Sequence, residues 1–207
     1  LGGGPGGYVA AIRSAQLGLK TCIIDKEKLG GICLNWGCIP TKALLKNAEV
    51  YHTIKHADTY GIKVENVSVD FKKNIQRSRD ISNRLSKGIE FLMKKNKITH
   101  ITGIGKLTSK TSLEVKNKQK TDTIEADKII LATGARPKSF PGMEFDGNRV
   151  ISFKEAMLLD SPPKKMIIIG SGAIGSEFAY YYNEFGTEVH MIEMLDRILP
   201  IEDADVP

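Results

Sequence analysis

Residues 166–175 read Met-Ile-Ile-Ile-Gly-Ser-Gly-Ala-Ile-Gly, a short apolar run followed directly by the spacing G-x-G-x-x-G. The apolar run predicts a buried parallel strand, and the glycines predict a tight turn into a helix. In such a unit the first glycine makes the turn, the second lets the backbone approach a pyrophosphate, and the third lets the helix pack on the strand. The stretch therefore predicts a dinucleotide-binding unit of the α/β class.

The same pattern occurs at the start of the chain, in Gly2-Gly3-Gly4-Pro5-Gly6-Gly7. In both copies an apolar helical pattern follows, and a helix-ending glycine, Gly18 or Gly186, stands 16 positions after the first glycine. In both, an acid, Asp25 or Glu193, stands 23 positions after the first glycine, at the end of a second apolar run. A single glycine pattern is common in turns, but the identical offsets predict two dinucleotide sites.

Each copy supplies three glycines and one acid as its candidate binding residues. The acid is placed to accept hydrogen bonds from ribose hydroxyls, and its charge repels a 2′-phosphate. The second site is therefore predicted to take NAD rather than NADP. The residues are Gly2, Gly4, Gly7 and Asp25 in the first copy and Gly170, Gly172, Gly175 and Glu193 in the second.

Between the two copies, periodicity predicts further elements. Apolar residues at helical spacing predict helices over Lys42–Lys55 and Phe71–Lys97, and short β-branched runs predict an antiparallel meander over Ile98–Ile124. The near-continuous apolar run Asp127–Ala132 predicts a buried parallel strand. Prolines and glycines in the stretch 136–142 predict a linker, so we expect one domain over 1–142 and the start of another over 143–207.

Composition excludes several classes of protein. The 207 residues are 41% hydrophobic and 26% charged, which is typical of a globular chain, and no apolar run reaches the roughly 20 residues of a membrane-spanning helix. The net charge of +6 is spread without interleaved aromatic residues, which favours solvated faces over a nucleic-acid surface. We therefore expect no membrane or nucleic-acid partner, and a cytoplasmic protein.

Three cysteines are too few for a secreted disulfide scaffold. On a regular helix, Cys33 and Cys38 would lie about 7.5 Å apart along the axis, beyond the roughly 7 Å Cα separation that a disulfide tolerates. We expect Cys33 in a distorted turn and Cys38 at a helix start, where the thiolate is stabilised and Lys42 lies one turn further on. Two ordinary thiols in a reducing compartment remain the alternative. Cys22 is predicted to be a small core residue.

Four segments carry a family resemblance: LGGGPGGY (1–8), GGICLNWGCIPTK (30–42), ILATGARP (130–137) and GSGAIGSE (170–177). Together they resemble the flavin-dependent pyridine nucleotide–disulfide oxidoreductases, and among these the members that oxidise dihydrolipoyl groups. The resemblance implies two Rossmann-like domains, for FAD and NAD, with the meander inserted in the first. It also implies a C-terminal dimerisation domain that the 207 residues do not include.

The resemblance assigns roles to individual residues. It implies that Cys33 exchanges with substrate, that Cys38 is the thiol beside the flavin, and that Lys42 pairs with Glu177 near the flavin. The aspartate that contacts the ribityl chain and the partner-donated His–Glu pair are not located, and the four histidines are predicted to be ordinary surface or packing residues. Further flavin contacts are implied for Gly30, Gly31, Lys42, Gly105, Thr133 and Gly134.

The implied function is oxidation of dihydrolipoyl groups of 2-oxo-acid dehydrogenase complexes. Electrons would pass through a Cys33–Cys38 disulfide and FAD to NAD⁺ in a homodimer that meets the lipoyl domain of the acyltransferase, in the bacterial cytoplasm or the mitochondrial matrix. Two alternatives remain open: a related glutathione- or mercury-type reductase, and a non-catalytic nucleotide-binding chain if the molecule ends at Pro207.

Overall fold

A computed structural model describes residues 1–206 of this chain and divides it into two compact units. The first unit consists of Leu1–Ile39 and Ile81–Lys138, and the second of Pro40–Asp80 with the chain from Ser139 onward. The segment 40–80, which the sequence analysis places in the first domain, is thus grouped with the second unit. The change of unit between 138 and 139 lies inside the predicted linker.

The first unit combines a parallel strand pair, a glycine-started helix and an antiparallel sheet. Strand β1 pairs in parallel with β2, and a core of Ala11, Ile23, Leu29, Met93 and Ile98 packs beside this pair. Its elements are α1 Pro5–Gln16, β1 Cys22–Asp25, α2 Gly31–Trp36, the start of α3 Cys38–Lys55, the end of α4 Phe71–Lys95, β2 Thr99–Thr102, β3 Ile104–Leu107, β4 Ser112–Lys116 and β5 Thr121–Glu125.

The predicted meander is confirmed for β3, β4 and β5, which form one antiparallel sheet in chain order. The first part of the predicted region differs, because β2 pairs in parallel with β1 and is not part of that sheet. Gly103 separates the two strands at a crowded point, where an added Cβ would lie 2.7 Å from a methyl carbon of Val115. Because glycine has no side chain, the chain can pass close to Val115 at Gly103 as it leaves one sheet for the other.

The strand predicted over Asp127–Ala132 is not formed. Among residues 1–206, this segment pairs only with Leu1, whose N-terminal amine donates to the Ile130 carbonyl and whose carbonyl accepts from the Ala132 N–H, both at 2.8 Å. One partner residue supplies too few hydrogen bonds to define a strand. The helix predicted over Phe71–Lys97 also ends earlier, at Lys95, because Lys97 adopts a φ of 55°.

The second unit repeats the strand, glycine turn, helix and strand order. Strand β6 pairs in parallel with β7 over five residues. The core beside them contains Leu44 and Ala48 from α3, Phe71 and Ile75 from α4, and buried aromatic residues of α6. Its remaining elements are a 3₁₀ turn Ala57–Tyr60, α5 Phe153–Ala156, β6 Lys165–Ile169, α6 Ala173–Glu184 and β7 Glu188–Ile192.

A buried carboxylate joins α3 to α6 inside the second unit. Glu184 accepts hydrogen bonds from His52 at 3.0 Å and Lys55 at 3.2 Å, and its side chain is only 9% exposed. Burial alone would raise the pKa of Glu184, but the hydrogen bonds from His52 and Lys55 outweigh it and hold that pKa below its ordinary value. His52 therefore has a specific partner that its isolated sequence position does not predict.

Across residues 1–206, none of the helices combines the length and apolar character needed to cross a membrane.

Candidate functional site

The first glycine loop is closed by contacts that only glycine permits. Gly2 has a φ of 110°, and its N–H donates to the Ile24 carbonyl at 2.8 Å. A Cβ on Gly7 would lie 1.8 Å from the Gly2 carbonyl oxygen, so α1 approaches the loop as closely as backbone atoms allow. Helix α1 begins directly after Gly4, with Pro5 as its first residue.

The second glycine loop reproduces this geometry position by position. Gly170 has a φ of 99°, and its N–H donates to the Ile192 carbonyl at 2.8 Å. A Cβ on Gly175 would lie 2.1 Å from the Gly170 carbonyl oxygen. Helix α6 begins directly after Gly172. The sequence repeat is therefore also a structural repeat of the turn, the helix start and the close packing between them.

In each copy, the acid at the end of the strand after the helix accepts hydrogen bonds from the glycine loop. In the first copy, Asp25 accepts from the Gly3 N–H at 2.5 Å and from the Glu27 N–H at 2.7 Å. Two carboxylate oxygens offer about four acceptor positions. Asp25 therefore retains capacity for further donors, such as ribose hydroxyls.

Glu193 has the same position in the second copy and accepts four hydrogen bonds. They come from the N–H groups of Met194, Leu195 and Ser171 and from the Ser171 hydroxyl, at 2.8 to 3.0 Å. The Leu195 and Ser171 hydrogen bonds lower the pKa of Glu193 to about 2. Glu193 is thus a permanent negative charge at neutral pH. Ser171, fully buried, is a contributor that the sequence analysis missed.

The cysteine segment contains a break between two helices. Cys33 lies in the short helix α2, and not in the distorted turn that we predicted, because Gly31 already begins a helical turn. Gly37 interrupts the helix with φ −134° and ψ −120°, and Cys38 begins α3 as predicted. A Cβ on Gly37 would lie 3.1 Å from the Cα of Cys33. The break therefore folds the backbone next to Cys38 back against Cys33.

Cys33 is half-buried, whereas Cys38 is exposed at the helix N-terminus. Of the two thiols, Cys38 is thus the more accessible to solvent. Cys22 is exposed at the start of β1 and is not the core residue that we predicted, because only the following Ile23 and Ile24 point into packed clusters.

The loop before the cysteines is held by two residues that the sequence analysis did not select. Asn35 is buried and donates to the carbonyls of Leu29 and Gly31 at 3.1 Å. The buried hydroxyl of Ser86 on α4 donates to the same Leu29 carbonyl at 2.8 Å. Asn35 lies inside the cysteine motif, which is a signal that could have identified it, but Ser86 is distant in sequence and gives none.

The cysteine segment and the first glycine loop lie in contact. The Gly30 N–H donates to the Gly3 carbonyl at 2.8 Å, and a Cβ on Gly31 would lie 2.5 Å from the Cα of Gly4. Only glycine fits there, with φ of 110° at Gly30 and 64° at Gly31. The structure therefore brings the segment that leads into Cys33 and Cys38 to the first glycine loop within one unit.

The other predicted flavin contacts lie near the same loop. A Cβ on Gly2 would lie 3.2 Å from the backbone nitrogen of Thr133, and Gly134 follows with a φ of 73°. The side chain of Leu1 covers Gly105, where an added Cβ would lie 2.5 Å from a Leu1 methyl carbon. Their roles as flavin contacts stay predictions.

In the second unit, Lys42 and Glu177 form an ion pair through the Lys42 Nζ and Glu177 Oε1. Lys42 lies in the first half of α3 and Glu177 in the first half of α6, 135 positions apart in sequence. The lysine side chain is 61% exposed, and the glutamate side chain is 26% exposed. The structure thus brings together the two residues that the sequence analysis paired.

The family model for pyridine nucleotide-disulphide oxidoreductase matches residues 1–206, which is almost the whole chain. The chain belongs to the pyridine nucleotide-disulphide oxidoreductases. The resemblance based on the cysteine and glycine segments is thereby confirmed, as is the α/β fold class.

The oxidoreductase is similar to curated relatives along its full length. It is 49% identical over 207 residues to the dihydrolipoyl dehydrogenase of Zymomonas mobilis and 46% identical over 215 residues to one from Bacillus subtilis. All of this chain is covered in both comparisons, but only 44% and 45% of the two relatives. The chain therefore spans less than half the length of the curated relatives that it matches.

Solved structures show the same fold. LpdA from Mycobacterium tuberculosis superposes with a TM-score of 0.89 and 28% identity, covering 99% of this chain and 46% of that one. The HOCl-induced flavoprotein disulfide reductase RclA from Escherichia coli gives a TM-score of 0.82 and 27% identity, covering 99% of this chain and 44% of that one. The oxidoreductase thus shares its architecture with both proteins.

Proposed function

We propose that this chain is the flavin- and NAD-binding part of a dihydrolipoyl dehydrogenase. The observation that carries the proposal is the contact between the first glycine loop and the Gly30–Gly31 turn that leads into Cys33 and Cys38. It supports a thiol pair that acts next to a bound dinucleotide. The similarity to dihydrolipoyl dehydrogenases supports the substrate class.

The geometry of both glycine loops fits bound dinucleotides. Among residues 1–206, no acceptor is assigned to the N–H groups of Gly4 and Gly6, at the start of α1, or of Gly172, Ala173 and Ile174, at the start of α6. Such donors suit pyrophosphate oxygens. A Cβ on Gly172 would meet no atom within 4 Å, which leaves room for a ligand against the backbone.

The proposed reaction transfers two electrons and two protons from a dihydrolipoyl group. A substrate thiolate attacks the sulfur of Cys33 in a Cys33–Cys38 disulfide, and Cys38 leaves as a thiolate stabilised by the α3 N-terminus. The second substrate thiol then displaces Cys33, which releases the lipoyl disulfide. FAD, when bound, would carry the electron pair between the reduced thiols and NAD⁺. The products are the lipoyl disulfide, NADH and one proton.

We further propose a homodimer in the cytoplasm that meets the lipoyl domain of a 2-oxo-acid dehydrogenase acyltransferase. The support is the family membership and the small number of cysteines, which suits a reducing compartment.

The decisive experiment is a steady-state assay of the complete, FAD-containing protein. With dihydrolipoamide, we expect NADH to form from NAD⁺ at a kcat/KM at least about tenfold higher than with NADP⁺, because the charge of Glu193 repels a 2′-phosphate. Faster oxidation of NADPH with glutathione disulfide or Hg²⁺ would favour the related reductases instead. No turnover with any of these substrates would contradict the proposal.

Removal of the Glu193 charge tests the nucleotide assignment. Glu193→Gln should raise the KM for NAD⁺ roughly tenfold or more, since an amide cannot accept all of the hydrogen bonds with which the carboxylate closes the second glycine loop. It should also reduce the discrimination against NADP⁺, since the negative charge is removed. Glu188→Gln changes an exposed acid at the start of β7, the strand that Glu193 follows, and is the control. It should leave the KM for NAD⁺ and the discrimination against NADP⁺ near the parent values. An unchanged NAD⁺/NADP⁺ ratio in Glu193→Gln would contradict the assignment.

The lowered pKa of Glu193 also predicts its pH dependence. Because that pKa is about 2, the contribution of this carboxylate to the stability of the folded protein is complete above its ordinary pKa of 4.5. The contribution is lost only as pH falls toward 2. We therefore expect the KM for NAD⁺ to show no titration from Glu193 between pH 5 and 8. A step in that range that disappears in Glu193→Gln would contradict this prediction.

The pair Lys42 and Glu177 is proposed to tune the flavin and to contribute little to folding. Lys42→Met should slow flavin reduction roughly tenfold or more in stopped-flow experiments. The unfolding free energy should change by less than about 1 kcal/mol, because the lysine side chain of the ion pair is exposed to solvent. Glu177→Gln should slow the same step.

A matched control lies one turn further along α3. Lys46 pairs with Glu49 at 2.6 Å, and its side chain is 56% exposed. Lys46→Met should leave flavin reduction unchanged. Equal effects of Lys42→Met and Lys46→Met on the rate would show that Lys42 has no special role.

A further inference from the structure

Two histidines at the end of α3 lie ring against ring inside the second unit. His52 and His56 are four positions apart, and the His56 N–H donates to the His52 carbonyl at 3.1 Å, so one helical turn places both side chains on the same side of the chain. Their ring centroids are 4.2 Å apart, with an angle of 31° between the ring planes. Both residues are exposed, so an ion from solution can reach both imidazoles.

The same ring nitrogen is oriented by a hydrogen bond in both residues. Nδ1 of His56 donates to the His52 carbonyl at 2.9 Å, and Nδ1 of His52 donates to the Glu184 carboxylate at 3.0 Å. A carbonyl oxygen and an ionised carboxylate can only accept, so Nδ1 carries the hydrogen in each neutral ring. The lone pair of each ring is then on Nε2. Within residues 1–206, neither Nε2 atom makes a hydrogen bond of its own.

These hydrogen bonds have the form found around metal-binding histidines. A histidine that binds a metal through one nitrogen almost always donates its other N–H to a carboxylate or a backbone carbonyl, which fixes the tautomer and the ring orientation. Glu184 accepts in this way from His52, and a backbone carbonyl accepts from His56. Two metal–nitrogen bonds of about 2.0–2.1 Å span at most about 4.2 Å, which is the separation of the two ring centroids.

His190 on β7 lacks this arrangement, although it is also an exposed histidine beside a carboxylate. Its Nε2 lies 2.8 Å from the Glu188 carboxylate, so the nitrogen that is available in the α3 pair is already used. In the part of the chain that the structure describes, no second imidazole ring packs against it. His190 therefore separates the effect of a single surface imidazole from that of the pair.

We propose that His52 and His56 bind a divalent transition-metal ion through their two Nε2 atoms. Imidazole nitrogen suits Cu²⁺, Zn²⁺ and Ni²⁺, whereas Mg²⁺ and Ca²⁺ prefer oxygen, and of the first three Cu²⁺ binds a given site most tightly. Among residues 1–206, no group of three or more His, Cys, Asp and Glu side chains is placed to hold a metal, so water completes the coordination. The proposal is independent of the function proposed above, because it involves neither the glycine loops nor the cysteines.

Titration of the complete protein with Cu²⁺ in a calorimeter tests the site. The thiols are alkylated first, so that they neither bind nor reduce the metal. His52→Gln and His56→Gln should each weaken Cu²⁺ binding about tenfold or more, because losing a ligand costs at least as much as losing the group that orients it. His190→Gln is the matched control and should leave the affinity for Cu²⁺ unchanged.

Pulsed electron paramagnetic resonance of the bound Cu²⁺ identifies its ligands. The parent protein should show two coordinated imidazoles, and His56→Gln should show one. Parent protein that binds Cu²⁺ no more tightly than the two histidine variants, or that shows fewer than two imidazole ligands at its tightest site, would overturn the proposal. The spectrum of the parent requires no substitution, and thermal melts of every variant without metal confirm that the affinities refer to folded protein.

Discussion

Replacing Cys33 or Cys38 by serine in the complete, FAD-containing protein should reduce NAD⁺-dependent oxidation of dihydrolipoamide by about 10³-fold or more, since neither variant can form the disulfide that accepts the electron pair. The structure supports this because Gly37 folds the start of α3 back against Cys33, within the unit that contains the first glycine loop. The measurement is NADH formation, with variant protein of equal flavin content.

The two variants should differ in their spectra. In the reduced state, Cys33→Ser should keep a long-wavelength charge-transfer band, because the exposed Cys38 at the α3 N-terminus supplies the thiolate. Cys38→Ser should lose that band. If both variants kept the band, or if the assignments were exchanged, the proposed roles of the two thiols would be wrong.

Cys22→Ser is the matched control, because Cys22 is also an exposed thiol of the same unit. It should retain the parent activity and the parent band. Peptide mapping of the oxidised, unreduced protein should find a Cys33–Cys38 bridge and an unbridged Cys22. A bridge that includes Cys22 would contradict the proposed mechanism.

Gly2→Ala should be among the most damaging single substitutions outside the cysteines. Gly2 has a φ of 110°, and an added Cβ would lie 2.0 Å from the carbonyl oxygen of Ala132. Backbone strain and overlap together should lower the unfolding free energy by about 3 kcal/mol or more. We expect the purified variant to lose most of its FAD, measured by absorbance against protein concentration.

Gly6→Ala, four positions after Gly2, is the control for the effect of an added methyl group. Gly6 lies inside α1, and an added Cβ would meet only a methyl carbon of Ala132 at an ordinary 3.6 Å. Because alanine is the better helix former, the variant should be as stable as the parent or more stable by up to about 1 kcal/mol. If Gly2→Ala matched Gly6→Ala in stability and FAD content, the first glycine loop would not have the close contacts described.

Local chemistry made the glycine loops predictable. The turn requires glycine at two positions. Gly2 has a positive φ, and an added Cβ on Gly7 would lie 1.8 Å from a carbonyl oxygen, so these two glycines identify the turn from sequence. The acids Asp25 and Glu193 are equally local, because each closes the loop through backbone N–H groups at a fixed offset. The offsets alone therefore predicted where both glycine loops lie.

Contacts between distant segments were not predictable in the same way. The strand expected over Asp127–Ala132 is not formed, because its pairing is limited to Leu1 and strand structure depends on a partner more than on side-chain pattern. Cys33 is helical because the Gly30–Gly31 turn begins α2. That turn contacts Gly4, which lies 27 residues away from Gly31 in the chain.

The sequence by itself determined the two glycine turns, the acids that close them, the α/β class and the helix that begins at Cys38, because each depends on backbone geometry within a few residues or on a repeated offset. Only the tertiary structure decided which distant groups meet: Ser86 with the Leu29 carbonyl, and His52 and Lys55 with the buried Glu184. Lys42 and Glu177 were paired in advance only through the family resemblance, and the packing of α3 on α6 brings them together. Such contacts depend on how whole helices pack, and that packing is set by many apolar residues together, so no local pattern encodes it.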